Sequence, residues 1–223
     1  MKYDPQKHHR RSIRLKGYDY TWPGAYFVTI CAYQRDEIFG AIINGEMKLS
    51  ALGKIVREEW LRSAEIRKEI QVFEDEFMIM PNHLHGINWI VGADGVRPNM
   101  ERAHAMHPNT MPPKPQKPDA RRASLRRVPR SLGSFIAGFK ASVTSRAGRE
   151  LNMTGIWQRN YYEHIVRNDR ELNNIRWYIV NNPLNWQLDR DNLQNIRKLS
   201  PPENADEYLK DVEEMVLKLH SAA

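Results

Sequence analysis

The sequence predicts an α+β fold: a ferredoxin-like βαββαβ sandwich with an added β-hairpin, a late helix and a C-terminal tail helix. Three observations lead there. Short β-forming runs alternate with two long amphipathic segments in the order strand, helix, strand, strand, helix, strand. Asn44-Gly45 lies between apolar pairs, the strongest short hairpin signal. Each helical segment is preceded by a side chain able to cap it, Ser50, Ser131 or Asn168.

Residues 26–32 are rich in β-formers and read as the first strand, and residues 38–49 form the hairpin around Asn44-Gly45. A helix capped by Ser50 runs to about Arg67 and buries Leu52, Ile55, Val56, Trp60 and Leu61. Residues 72–80 give the next strand. Pro81-Asn82 is a turn dipeptide, so residues 83–91 return antiparallel beside it. Ser131 caps a second helix through about Glu150, with Leu132, Phe135, Ile136, Phe139 and Val143 inward, and residues 156–166 supply a further strand. Asn168 opens a last helix that Pro183 stops, with Leu172, Ile175 and Ile179 on one stripe. With the helices on one face of the sheet, the other face is expected to be open to a substrate.

The chain divides into a basic, aromatic arm (residues 1–22), a main domain (23–186) with a basic, proline-rich insertion at about 92–130, and a tail (187–223) whose residues 205–219 form an amphipathic helix. The net charge of +7 suggests a polyanionic partner. Between residues 96 and 130 nine lysines and arginines face Glu101 and Asp119 alone, a surplus equal to that of the whole chain. In the arm, Lys2, Lys7, Arg10, Arg11, Arg14 and Lys16 precede Tyr18, Tyr20 and Trp22. Cations that track a phosphate backbone beside rings that stack on bases suit single-stranded DNA. A solvated charge run is the plainer reading. The lone Cys31 forms no internal disulfide, and no signal segment or run of eighteen apolar residues is present. A cytoplasmic protein without membrane contact is expected, nucleoid-associated when bound to DNA.

Two pairs of side chains carry the chemistry. His83 and His85 are one residue apart on a strand, so they point the same way with ring nitrogens a few Å apart, a metal-ligand spacing. Tyr178 and Asn182 are four apart on the last helix and leave it side by side. Structural alternatives exist for each: a core histidine pair, a core tyrosine, a helix-stop asparagine. His164 falls on the last strand, but the alternation of Tyr162, His164 and Val166 against Tyr161, Glu163 and Ile165 leaves open which set faces the site. Lys140, on the second helix, is either a phosphate contact or an exposed lysine.

Met80-Pro81-Asn82-His83-Leu84-His85, then Trp157-Gln158-Arg159-Asn160-Tyr161-Tyr162-Glu163-His164, then Tyr178-Ile179-Val180-Asn181-Asn182-Pro183, resemble the single-tyrosine HUH transposases, in particular the REP-associated tyrosine transposases. The opening Pro23-Gly24-Ala25-Tyr26-Phe27-Val28-Thr29-Ile30 is similar too, and the resemblance spans about residues 26–186. It implies an enzyme: a metal-dependent transposase or endonuclease that cuts and rejoins hairpin-bearing repetitive DNA through a 5′-phosphotyrosine. His83 and His85 match the paired histidines that hold the ion, Tyr178 the nucleophile, and Asn182 the third ligand, a position held by glutamine in many insertion-sequence members. The side chain is one methylene shorter here, which draws the ion toward the helix or leaves room for water.

Ligand type favours Mn²⁺ and cellular availability favours Mg²⁺. The expected partner is single-stranded or hairpin DNA, gripped by Arg10, Arg11, Arg14, Lys16, Arg121, Arg122, Arg126, Arg127 and Lys140; monomer and homodimer both stay open. Two other classes compete: a domesticated hairpin-binding protein with little or no catalysis, and a metal hydrolase that uses water, with Tyr178 structural.

Overall fold

The computed structural model describes residues 18–92, 95–98, 128–195, 210 and 212–214. Eight of the expected DNA contacts, Arg10, Arg11, Arg14, Lys16, Arg121, Arg122, Arg126 and Arg127, lie outside the described residues, as does most of the expected tail helix. Residues 210 and 212–214 are helical, and Val212 is buried.

The fold is mixed α/β. Its elements in chain order are β1 (Gly24–Cys31), β2 (Gly40–Ile43), β3 (Glu46–Leu49), α1 (Ala51–Ile66), β4 (Ile70–Gln71), β5 (Phe77–Ile79), β6 (His83–Ile90), α2 (Leu132–Leu151), β7 (Tyr162–Val166) and α3 (Asp169–Asn181). A 3₁₀ segment, Pro183–Leu188, follows α3 directly. β7 pairs with β1 and β1 with β6, while β4 and β5 lie in succession along the other edge of β6, every pairing antiparallel. β2 and β3 form a separate hairpin whose turn is Asn44-Gly45, both residues with positive φ. The three cap side chains accept from the expected amides, Ser50 from Gly53, Ser131 from Ser134 and Asn168 from Glu171.

Alternation along the two central strands divides the core. Tyr26, Val28, Ile30, Leu84 and Ile90 face α1 and α2, where Trp60 meets Phe135 and Phe139 edge to face. Ala25, Phe27, Ile87 and Trp89 face the opposite way and are covered by Leu172, Ile175, Tyr178 and Ile179 of α3. The second face is therefore not an open platform. The last helix covers it, burying its apolar stripe against the sheet.

Two expected strands are shorter than their apolar content suggests. The run 72–80 is broken by a 3₁₀ turn at Glu74–Glu76, three consecutive acids of which Glu76 turns inward to bind Trp89 and Arg176. The run 156–166 becomes a strand only from Tyr162, because Asn160 adopts φ 71° and Trp157 makes a single bridge to Ala32.

Gly86, which follows the histidine pair, has its own packing reason. A Cβ there would lie 2.6 Å from Trp60 Cζ2 and 3.3 Å from Phe77 Cβ. Gly86→Ala is expected to destabilise by about 1–3 kcal/mol through overpacking, read as a lower Tm in thermal denaturation. An unchanged Tm would show that the Trp60 ring gives way freely. Among the described residues no helix is long and apolar enough to cross a membrane.

Candidate active site

The register of β1 against β6 places Cys31 opposite His83 and Thr29 opposite His85, so both imidazoles stand on the face covered by α3, near one end of the sheet. Both are fully buried. Their Nε2 atoms are 2.8 Å apart. Tyr178 and Asn182 reach the same point from the end of α3, the Tyr178 hydroxyl lying 3.2 Å from His85 Nε2. Phe27 stacks on His85, and Trp186 of the 3₁₀ segment leans on His83.

The outer ring nitrogens are held as well. Asn82 Nδ2 donates to the carbonyls of Arg35 and Asp191, at 3.1 and 2.9 Å, which turns its Oδ1 toward His83 Nδ1 at 2.8 Å. An amide oxygen only accepts, so His83 carries its proton on Nδ1 and presents a lone pair at Nε2. Thr29 Oγ1 sits 2.9 Å from His85 Nδ1 and completes the second clamp.

Asp189 is the unexpected member. It is fully buried; Oδ2 accepts from the Tyr178 hydroxyl at 3.2 Å and from Asn182 Nδ2 at 2.8 Å, and Oδ1 accepts from the Asp191 amide at 2.6 Å. Ligand atoms of His83, His85 and Asp189 all lie within 4.8 Å of one another, so the three could hold a metal ion. Asn182 stands beside them: its Nδ2 binds Asp189, and its buried Oδ1 has no hydrogen-bond partner among the described residues.

These residues fit a divalent cation. The His83 Nε2 lone pair and the Asp189 carboxylate converge here, with the unpartnered Asn182 Oδ1 beside them, and a positive charge would offset that crowding of electron-rich atoms. Donors on neighbouring vertices of an octahedral ion stand about 3 Å apart, given metal–oxygen distances near 2.1 Å, close to the spacing of the two imidazoles. The mixed nitrogen and oxygen set is one that Mn²⁺ accepts readily and Mg²⁺ tolerates.

Burial dominates the electrostatics. It raises the Asp189 pKa, aided by Asp191 and opposed by His83 and the Asn182 hydrogen bond. It also holds His85 well below its ordinary 6.5, and the adjacent His83 acts in the same direction. Folding thus disfavours the protonated form of His85, and the unfolded chain binds more protons below its own pKa. Stability of the metal-free protein is therefore expected to be fully present above pH 6.5 and to fall as pH drops below it. A Tm series between pH 8 and pH 5 at constant ionic strength checks this; a flat profile would contradict it.

His164 faces the α3 side, opposite Phe27, but its Nε2 pairs with Glu171 at 2.7 Å rather than with the histidine pair. Lys140 is not a free cation. Its Nζ donates to the carbonyls of Gln158 and Asn160, and burial draws its pKa down to about 8. It holds the bend before β7. Tyr18, Tyr20 and Trp22 pack in edge-on and tilted contacts with one another and with Tyr26, so these rings are partly occupied within the fold.

No family model matches the chain. An uncharacterized protein of Haemophilus influenzae is 39% identical over 189 residues, spanning 85% of this chain and 96% of that protein. The two chains belong to one family. With a family member that has no assigned activity, the relationship carries no substrate. A solved structure of a REP-associated tyrosine transposase bound to a REP hairpin aligns over 76% of this chain and 72% of that one, with a TM-score of 0.48 and 16% identity. Overlap at that level decides neither fold nor function, and the site's own chemistry must carry the reading.

Sequence reasoning missed Asp189 because it follows the last motif, in a stretch read as polar tail. One weak signal was there: Asp189-Arg190-Asp191, two acids one residue apart shortly after the tyrosine helix in a basic chain.

Proposed function

We propose that this chain cuts and rejoins single-stranded, hairpin-bearing DNA through a 5′-phosphotyrosine on Tyr178, with Mg²⁺ or Mn²⁺ held by His83, His85 and Asp189 and with Asn182 at its side. One observation carries the reading: the Tyr178 hydroxyl stands 3.2 Å from both His85 Nε2 and Asp189 Oδ2. The ordered motifs that resemble single-tyrosine HUH transposases support it. So does the strand order β7-β1-β6-β4/β5 with α1 and α2 as connections, which suits a ferredoxin-like βαββαβ sandwich.

A bound ion would polarise a phosphate oxygen and offset the charge that builds as the phosphorus is attacked. Tyr178 supplies the nucleophile. A phenol ionises near pH 10, so its proton has to leave as attack proceeds. Asp189 Oδ2 already accepts from that hydroxyl, so it stands where the phenolic proton can be taken up. Asn182 Nδ2 keeps the accepting oxygen in place. The Tyr178 oxygen bonds to phosphorus, the bond from phosphorus to the 3′-oxygen breaks, and that oxygen leaves as a hydroxyl by taking up a proton. One phosphate ester replaces another, so a 3′-hydroxyl can reverse the step without ATP. The basic arm and insertion would grip the hairpin and its flanks.

The second reading, a hairpin-binding protein without cleavage, is favoured by one observation: Tyr178 is only 3% exposed, its hydroxyl against the fully buried Asp189. DNA phosphate reaches the tyrosine only when that covering moves. The two readings part on product ends. With end-labelled hairpin DNA bearing single-stranded flanks and Mn²⁺ or Mg²⁺, the proposal expects an upstream fragment with a polymerase-extendable 3′-hydroxyl and a downstream fragment whose 5′ end is blocked by protein. Both should be absent with chelator. Free 5′-phosphate ends would indicate hydrolysis by water, and binding without cleavage would favour the second reading.

A further inference from the structure

Glu76 lies in the turn between β4 and β5, seven residues before His83, and is 2% exposed. Its Oε2 accepts from Trp89 Nε1 at 2.6 Å. Its Oε1 accepts from Arg176 Nε at 3.0 Å and from Arg176 Nη2. Arg97 closes the group from outside, its Nη1 3.9 Å from Oε1 and its guanidinium 3.5 Å from the centre of the Phe73 ring. One carboxylate therefore joins the strand that carries His85 to the helix that carries Tyr178.

We infer that Glu76 is a positioning residue for Tyr178, acting through Arg176; the inference rests on the cleavage reading above. The apolar stripe of α3 holds the helix to the sheet, but apolar contact is non-directional and lets a helix slide or turn by small amounts. A shift of one residue along α3 moves a side chain about 1.5 Å and about 100° around the axis, enough to break the 3.2 Å approach of Tyr178 to His85. Hydrogen bonds from a fork to a fixed carboxylate oppose that shift, because they weaken steeply with angle. A buried ion pair adds little net stability over packed apolar side chains, so its contribution here is direction. Arg176 sits two residues before Tyr178, so one side chain reaches the edge of the sheet while the other faces its centre.

The test compares Glu76→Gln and Arg176→Lys with the native full-length chain. Gln keeps an acceptor for Trp89 and removes the charge; Lys keeps the charge and removes the fork. Amide exchange across residues 175–181 is followed by mass spectrometry without DNA, Mn²⁺ affinity by calorimetry, and single-turnover cleavage and hairpin affinity on labelled DNA. Glu76→Gln should exchange at least tenfold faster across 175–181 and cleave at least tenfold more slowly, with Mn²⁺ and hairpin affinities within twofold of native. Arg176→Lys should show smaller changes of the same sign. Native exchange in a folded Glu76→Gln protein overturns the inference, as does native cleavage. If Glu76→Gln does not fold, native exchange and cleavage in Arg176→Lys overturn it. Absence of cleavage by the native chain on every hairpin would sink the cleavage reading instead, and amide exchange would still decide whether Glu76 fixes the helix.

Discussion

Tyr178→Phe abolishes strand cleavage, by about a thousandfold or more, and leaves hairpin affinity within about twofold of native. The substitution deletes one oxygen from a ring whose packing is otherwise kept. The ring lies 6.3 Å from Phe27 in an edge-on contact and 5.1 Å from the His85 ring, and both ring contacts remain while the hydroxyl's 3.2 Å approach to His85 Nε2 is lost. Asp189 Oδ2 loses the phenol but keeps the Asn182 amide, so no acceptor is left bare. The cost in stability is that of one buried hydrogen bond, about 1 kcal/mol. Single-turnover cleavage and filter binding on the same hairpin separate the two effects. Loss of affinity as large as the loss of cleavage would mean that Tyr178 serves binding or folding, and residual metal-dependent cleavage at native rate would remove it as the nucleophile.

His83→Ala carries the second largest expected effect. The imidazole presents a lone pair at Nε2 because Asn82 fixes the proton on Nδ1. No neighbouring residue can replace that donor: His85 has its own place in the cluster, and Asp189 is already shared by Tyr178, Asn182 and the Asp191 amide. Mn²⁺ affinity should fall by about a hundredfold or more, and cleavage with it, since outer partners alone are worth about 10–100-fold at metal sites. Calorimetry reads the binding without any substrate. A His83→Ala protein that still binds Mn²⁺ at native affinity, or is still activated by Mg²⁺ or Mn²⁺, contradicts the ligand assignment.

Much of the fold was legible because its signals are local. A serine or asparagine before an apolar stripe satisfies orphan amides wherever it stands, and all three caps form as their residue types require. Asn44-Gly45 fits a turn that needs positive φ at both positions. The spacing of His83 and His85 is equally local, because a strand's two-residue period leaves one answer. What stayed hidden depends on partners distant in sequence. Glu76 breaks a strand by turning inward, and the arginine that draws it lies 100 residues later. Which face of β7 meets the site follows from its register against β1, which no single strand encodes. Asp189 joins the cluster only because α3 ends at Asn182 and the 3₁₀ segment folds the chain back, a path set by tertiary packing.

The measurement that bears most directly on the account is mass-spectrometric mapping of a covalent protein–DNA adduct. The native chain is incubated with a pool of hairpin DNAs and Mn²⁺, denatured and digested. The account predicts a peptide carrying a nucleotide 5′-phosphate on Tyr178, absent with chelator and absent in Tyr178→Phe. Cleaved DNA with no adduct, or an adduct on a different residue, would contradict it.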